Sequence, residues 1–142
     1  MDRLEKQIHM IAANAVTNFQ DRAREKVDYS QSSLEIVEEM LAEASDFVIA
    51  MDKNKIDSLV EMFGCYILEV AHQEFGRKFL WHSQYRQPLI VVGQPDYRIA
   101  IITFNKVKNR LLGDKADNIP FFYSGFANAV RKAEVGSNTL YL

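Results

Sequence analysis

The chain reads as an α+β protein, with an N-terminal three-helix layer packed on a small antiparallel sheet and followed by C-terminal helices. Three observations predict this. Apolar residues recur at helical spacing through the first half of the chain. Near Lys78 the pattern changes to short β-branched runs punctuated by Gly and Pro. Helix signals return after Asn105. Helices, then strands, then helices is the order of an α+β domain rather than of alternating βα units.

The first helix is expected from Asp2 to Asp28. Leu4, Ile8, Ile11, Ala15 and Phe19, then Ala23 and Val27, form one apolar stripe, and polar residues fill most of the opposite side. In "DYSQSSLEIVEEML", Ser32 with Glu35 three positions later reads as a capping box that opens a second helix. Leu34, Val37, Leu41, Ala44 and Val48 are its inner stripe, and Glu35, Glu38, Glu39 and Glu43 cover its outer side. "MDKNK" breaks the pattern, and a third helix starts near Asn54 and stops at Gly76. On a wheel of ~100° per residue, Ile56, Leu59, Val60, Phe63, Tyr66, Ile67 and Val70 share its broad face. Ser58, Glu61, Cys65, Glu69 and His72 share a narrow opposite arc, so this helix is mostly buried with a polar stripe along an edge or groove.

"KFLWHSQY" reads as a strand, and residues 88–103 as a β-hairpin turning at "QPD". Asn105 or a neighbour caps a short helix, "KVKNRLL", which Gly113 stops. Asn118 caps another, with Pro120 in its first turn. "NTLYL" at the end adds a last strand. Residues 1–142 are expected to form one domain, large enough to bury roughly 70% of its unfolded surface.

Composition narrows the class. Hydrophobic residues are 48% and charged residues 25%, ordinary for a globular protein. A single Cys fits a reducing cytoplasm. "MDRLEKQIHM" carries charge throughout and lacks the apolar centre of a signal peptide, and no stretch approaches the ~20 apolar residues of a membrane span. Net charge is −2, yet Asp28–Glu74 carries −9 and Phe75–Leu142 carries +6. Such asymmetry marks either two faces for different partners or two halves that neutralise each other.

The segment "FGCYILEVAHQEFGRKFLWH" gathers the only Cys, the only Trp and two of the three His. Glu69 and His72 share a helix face, the spacing used by bundle di-iron sites, but those need two such pairs and two further Glu. Cys65 and His72 lie two turns apart, ~10.5 Å along the axis, too far for one ion or for a nucleophile–base pair. The expectation is therefore no metal, no cofactor and no catalytic set, with Cys65 a buried bystander. Glu69, between apolar flanks, is expected to be an internal anchor that finds a donor in a backbone turn, Tyr66, Arg77 or a later basic residue. Trp81 is expected to pack the strand against the helices. The basic run Lys106–Arg110 has no aromatic platform, and net charge is negative, which argues against nucleic acid.

Asp28, Tyr29, Ser30, Ser33 and Leu34, then Gly64, Tyr66 and Glu69, then Trp81 and Pro88, resemble the pattern of a group of small uncharacterised bacterial domains. That group carries a DYSxxSL helix start, a Gly-x-Tyr helix with a following Glu, and a Trp-bearing strand. Leu68 stands where the group usually has Gly. The resemblance spans roughly 28–113 and implies a shared fold, with no activity to carry over.

Three functional readings follow. The first is a non-enzymatic bacterial protein-binding domain, such as an immunity protein neutralising a basic toxin, that docks through Glu38, Glu39 and Glu43. The second is a small-ligand-binding domain or enzyme with a groove near Tyr66, Glu69 and His72. The third is a structural subunit that self-associates through the exposed side of the first helix.

Overall fold

The computed structural model describes residues 2–20 and 27–142. The first helix, α1 (Arg3–Gln20), buries Ile8, Ala12, Ala15 and Phe19. Of its predicted continuation, Ala23 lies outside the described residues, and Val27 is buried beyond them. A single 3₁₀ turn (Gln31–Ser33) then leads into α2 (Leu34–Ser45). A second such turn (Val48–Ala50) follows, and then α3 (Lys53–Phe75).

The entry to α2 corrects the expected capping box. Ser32 is exposed, and the cap is Ser30, whose hydroxyl accepts from the Ser33 N–H. Asp28 makes this possible, because its Oδ1 accepts from both the backbone N–H and the hydroxyl of Ser30. That short-range bonding competes with helix and holds the "DYS" segment as a turn. At α3, Asp52 is the cap, accepting from Lys55 N–H at 2.8 Å. Gly76 ends the helix as predicted, in the left-handed conformation (φ 63°) that a residue with a Cβ adopts only at a cost.

α1 lies antiparallel along α3. Phe19 stacks on Phe63 at 4.8 Å near one end, and His9 meets Glu69 near the other. α1 thus covers the later part of the polar arc read on α3, Cys65, Glu69 and His72, while Ser58 and Glu61 stay exposed. Residues Val60 and Phe63–Ala71 of α3 are all buried, so this helix is the centre of the core.

The sheet comprises β1 (Lys78–His82), β2 (Gln87–Val92), β3 (Arg98–Ile102) and β4 (Asn138–Tyr141), in that spatial order. β1, β2 and β3 are antiparallel neighbours, with Ile90 opposite Ile101. β4 joins β3 in parallel, which makes the sheet mixed where a wholly antiparallel one was expected. β2 is buried on both faces, which explains why "PLIVV" reads as a continuous apolar run rather than an alternation. Phe79, Ile90, Val92, Ile99 and Ile101 face the helices. Leu89, Val91, Ala100 and Ile102 form a smaller cluster on the other face, with Leu80, Tyr85 and Leu140 packed against it. Each fully buried Ile or Phe contributes about 1.5–3 kcal/mol through removal from water.

Trp81 departs from expectation: it is 58% exposed. β1 is an edge strand, and its inward position under the helices is taken by Phe79, at 2%. Trp81 instead sits opposite Pro88 at the end of the sheet.

α4 (Phe104–Leu111) and α5 (Ile119–Arg131) complete the fold. Asn105 does not cap α4. Gln87, buried in the first position of β2, accepts from Phe104 N–H at 2.9 Å and donates to Asn105 Oδ1 at 3.0 Å, so the sheet itself caps the helix. Asn118 caps α5 as predicted, accepting from Phe121 N–H. Gly64 admits α4 closely: a Cβ there would lie 2.3 Å from the Phe104 ring, and Thr103 Oγ1 donates to the Gly64 carbonyl at 2.8 Å. Among the described residues no helix is long and apolar enough to cross a membrane.

Candidate functional site

A cluster of two glutamates and two histidines lies at the seam of α1 and α3. Glu5 and His9 are one turn apart on α1, and Glu69 and His72 one turn apart on α3. Because the helices are antiparallel, the two pairs meet. Glu69 is only 5% exposed, and its Oε2 is hydrogen-bonded to His9 Nδ1. Its other oxygen, Oε1, lies 3.8 Å from His72 Nδ1. The opposite nitrogens of both rings turn toward Glu5: Oε1 of Glu5 is 3.3 Å from His9 Nε2 and 3.4 Å from His72 Nε2. Phe79 stacks on the His72 ring at 4.9 Å and meets the His9 ring edge-on at 6.0 Å.

The donor anticipated for Glu69 among a backbone turn, Tyr66, Arg77 and a later basic residue is thus a histidine from another helix. Glu69 and His72 come together, whereas Tyr66 takes a separate role. It is fully buried, its hydroxyl accepts from Tyr29 N–H at 3.0 Å, and it shares a 2.7 Å hydrogen bond with Ser33 Oγ. Cys65 is buried, and burial first, then the Glu61 and Glu69 carboxylates, push its thiol up to about 12. Such a thiol carries almost no thiolate at neutral pH and is not a nucleophile. Among the described residues, the protein donors close enough to share one ion are Glu5, His9 and His72, within 4.8 Å of one another. Sequence reasoning missed Glu5 and His9. Their i,i+4 spacing was a visible signal, but only the tertiary pairing of α1 with α3 joins them to Glu69 and His72.

The acidic residues of α2 divide. Glu38 turns inward: its Oε2 accepts from Arg110 Nε at 2.7 Å and its Oε1 from Ile119 N–H at 3.0 Å. It therefore ties α2 to α4 and to the start of α5. Glu35, Glu39 and Glu43 stay on the exposed side with Asp46. Just beyond them, Phe47 is 64% and Ile49 100% exposed, while Val48 between them packs inward. Two of the three cations in Lys106–Arg110 are held internally, Arg110 by Glu38 and Lys106 by Asp117 at 2.8 Å. A cleft of about 240 Å³ beside Trp81 is lined by Leu4, Ile11, Pro88 and Phe104, among others.

Comparison with known proteins adds no relative: no protein-family model, no curated protein and no solved structure matches the chain.

Proposed function

We propose that the protein is a non-enzymatic protein-binding domain that docks through the outer face of α2 and the turn after it. One observation carries this reading: the exposed acids Glu35, Glu39, Glu43 and Asp46 lead straight into two exposed apolar side chains, Phe47 and Ile49. Large apolar groups left in water beside a field of one sign have the composition of a docking patch, with apolar anchors ringed by steering charge. The complementary partner has a basic surface and an apolar pocket, and a basic toxin capped by a small acidic domain has that form. In this reading Glu39 and Glu43 belong to the docking face, whereas Glu38 ties α2 to α4 and α5.

Affinity capture from the source cell's lysate tests this, with wild-type, Ile49→Ser, and Glu35→Lys/Glu39→Lys proteins compared at low and high salt. One stoichiometric partner, lost with Ile49→Ser and weakened by charge reversal or salt, is the expected result. A partner retained equally by all three proteins would remove this surface from the account.

A further inference from the structure

We propose that Glu5, His9 and His72 form a binding site for one divalent transition-metal ion of the zinc class, oriented by the Glu69 carboxylate behind the two imidazoles. This site is on α1 and α3 and is independent of the α2 docking surface.

The argument begins with the tautomers. His9 Nδ1 is hydrogen-bonded to the buried Glu69 carboxylate, and His72 Nδ1 faces its other oxygen at 3.8 Å, beyond direct hydrogen-bond distance. A neutral ring that carries its proton on Nδ1 leaves Nε2 with a lone pair. Both Nε2 lone pairs, and a carboxylate oxygen of Glu5, then point into one small volume. In the metal-free protein a proton on Nε2 lets His9 hydrogen-bond Glu5 at 3.3 Å, and a cation in that proton's place would bond all three donors. A carboxylate holding Nδ1 of a metal-binding histidine is the usual way a protein fixes its ring and raises its basicity. Here one carboxylate faces both rings.

The distances suit such an ion. Donors bound tetrahedrally at ~2.0–2.1 Å stand roughly 3.4 Å apart. The two separations from Glu5 Oε1 are 3.3 and 3.4 Å. The remaining separation is within 4.8 Å, and modest side-chain rotation closes it. Two imidazole nitrogens and one carboxylate oxygen select zinc, copper(II), nickel or iron(II) over magnesium and calcium, which prefer all-oxygen sites. Phe79 fixes the ring planes from below. Glu5, His9 and His72 are each about a quarter exposed, which gives the ion a path in and leaves its fourth position to water.

The test titrates the metal-stripped full chain with Zn²⁺ by calorimetry and with Co²⁺ by visible absorption. The expected result is one ion per chain, with Co²⁺ bands of a nitrogen- and oxygen-ligated, low-coordinate centre. His9→Gln and His72→Gln should each abolish stoichiometric binding. Glu69→Gln should weaken it about 10–100-fold, the usual cost of losing the carboxylate behind a metal-bound histidine. His82→Gln, the third histidine, should bind as wild type does. Circular dichroism of the metal-free variants checks folding, and Glu5→Gln, at a part-exposed position in the first turn of α1, supplies a ligand loss that leaves the core intact. No binding by wild type, or binding that survives in Glu5→Gln and both ligand-histidine variants, would overturn the proposal.

Discussion

Two buried tyrosines show how much a hydroxyl's partners matter. Tyr66 and Tyr123 are both fully buried. The Tyr66 hydroxyl joins Tyr29 N–H to Ser33 Oγ, and Ser33 Oγ donates in turn to the Ser30 carbonyl at 2.6 Å. Tyr29, held beside it at φ 63°, stacks on the Tyr66 ring at 5.2 Å. The Tyr123 hydroxyl has no hydrogen-bond partner among the described residues. Tyr66→Phe should therefore cost about 1–2 kcal/mol, since it leaves the part-buried Tyr29 N–H without its acceptor, whereas Tyr123→Phe should be neutral or stabilising. Urea unfolding of the two variants makes the comparison directly. Cys65 is a third residue-level case: with its thiol held at about 12 by burial, it should resist alkylation in the native protein and react once unfolded. Fast native alkylation, followed by mass spectrometry, would contradict that environment.

At the scale of elements, the joints are made by side chains reaching between them. Glu38→Ala leaves Arg110, only 6% exposed, without its carboxylate and removes an acceptor from the first turn of α5, so a loss of about 3 kcal/mol is expected in chemical denaturation. Gly64→Ala drives a methyl group into the Phe104 ring and should cost about 1–3 kcal/mol, with the Gly64→Ala/Phe104→Ala double variant losing less than the sum of the singles. Helix positions were legible in the sequence because burial imposes a 3.6-residue period and the end signals, Asn118 as a side-chain cap and Gly76 as a left-handed stop, are local. The joints were not. Gln87 capping α4 from the sheet, and Glu38 accepting from α5, span 17 and 81 positions of sequence, and no local pattern encodes them. Trp81 was misplaced for a related reason: its composition says core, but its place at the end of an edge strand puts it in water.

For the whole molecule, the buried acids of low acidity set the alkaline limit. Burial raises Cys65, Tyr66, Tyr123 and Tyr29 above their ordinary values, so the folded state holds these protons more tightly than the unfolded chain. Their contribution is complete below the unfolded thiol's value of 9.0 and declines as pH climbs from there toward about 12. The urea midpoint should fall across that window, and fall less in Cys65→Ala. The charge asymmetry read in the sequence resolves into two uses. Glu38 neutralises Arg110 inside the fold and Glu74 pairs with Arg131 at the surface, while the outer acids of α2 stay exposed. The seam was half legible: Glu69 and His72 stood out on one helix, but Glu5 and His9 acquire meaning only when α1 folds back along α3. Crystals grown with zinc, measured at the zinc absorption edge, give the most direct test of that seam. An anomalous peak bounded by Glu5, His9 and His72 is the predicted result, and a map with no peak there, or with zinc bound only elsewhere, would contradict it.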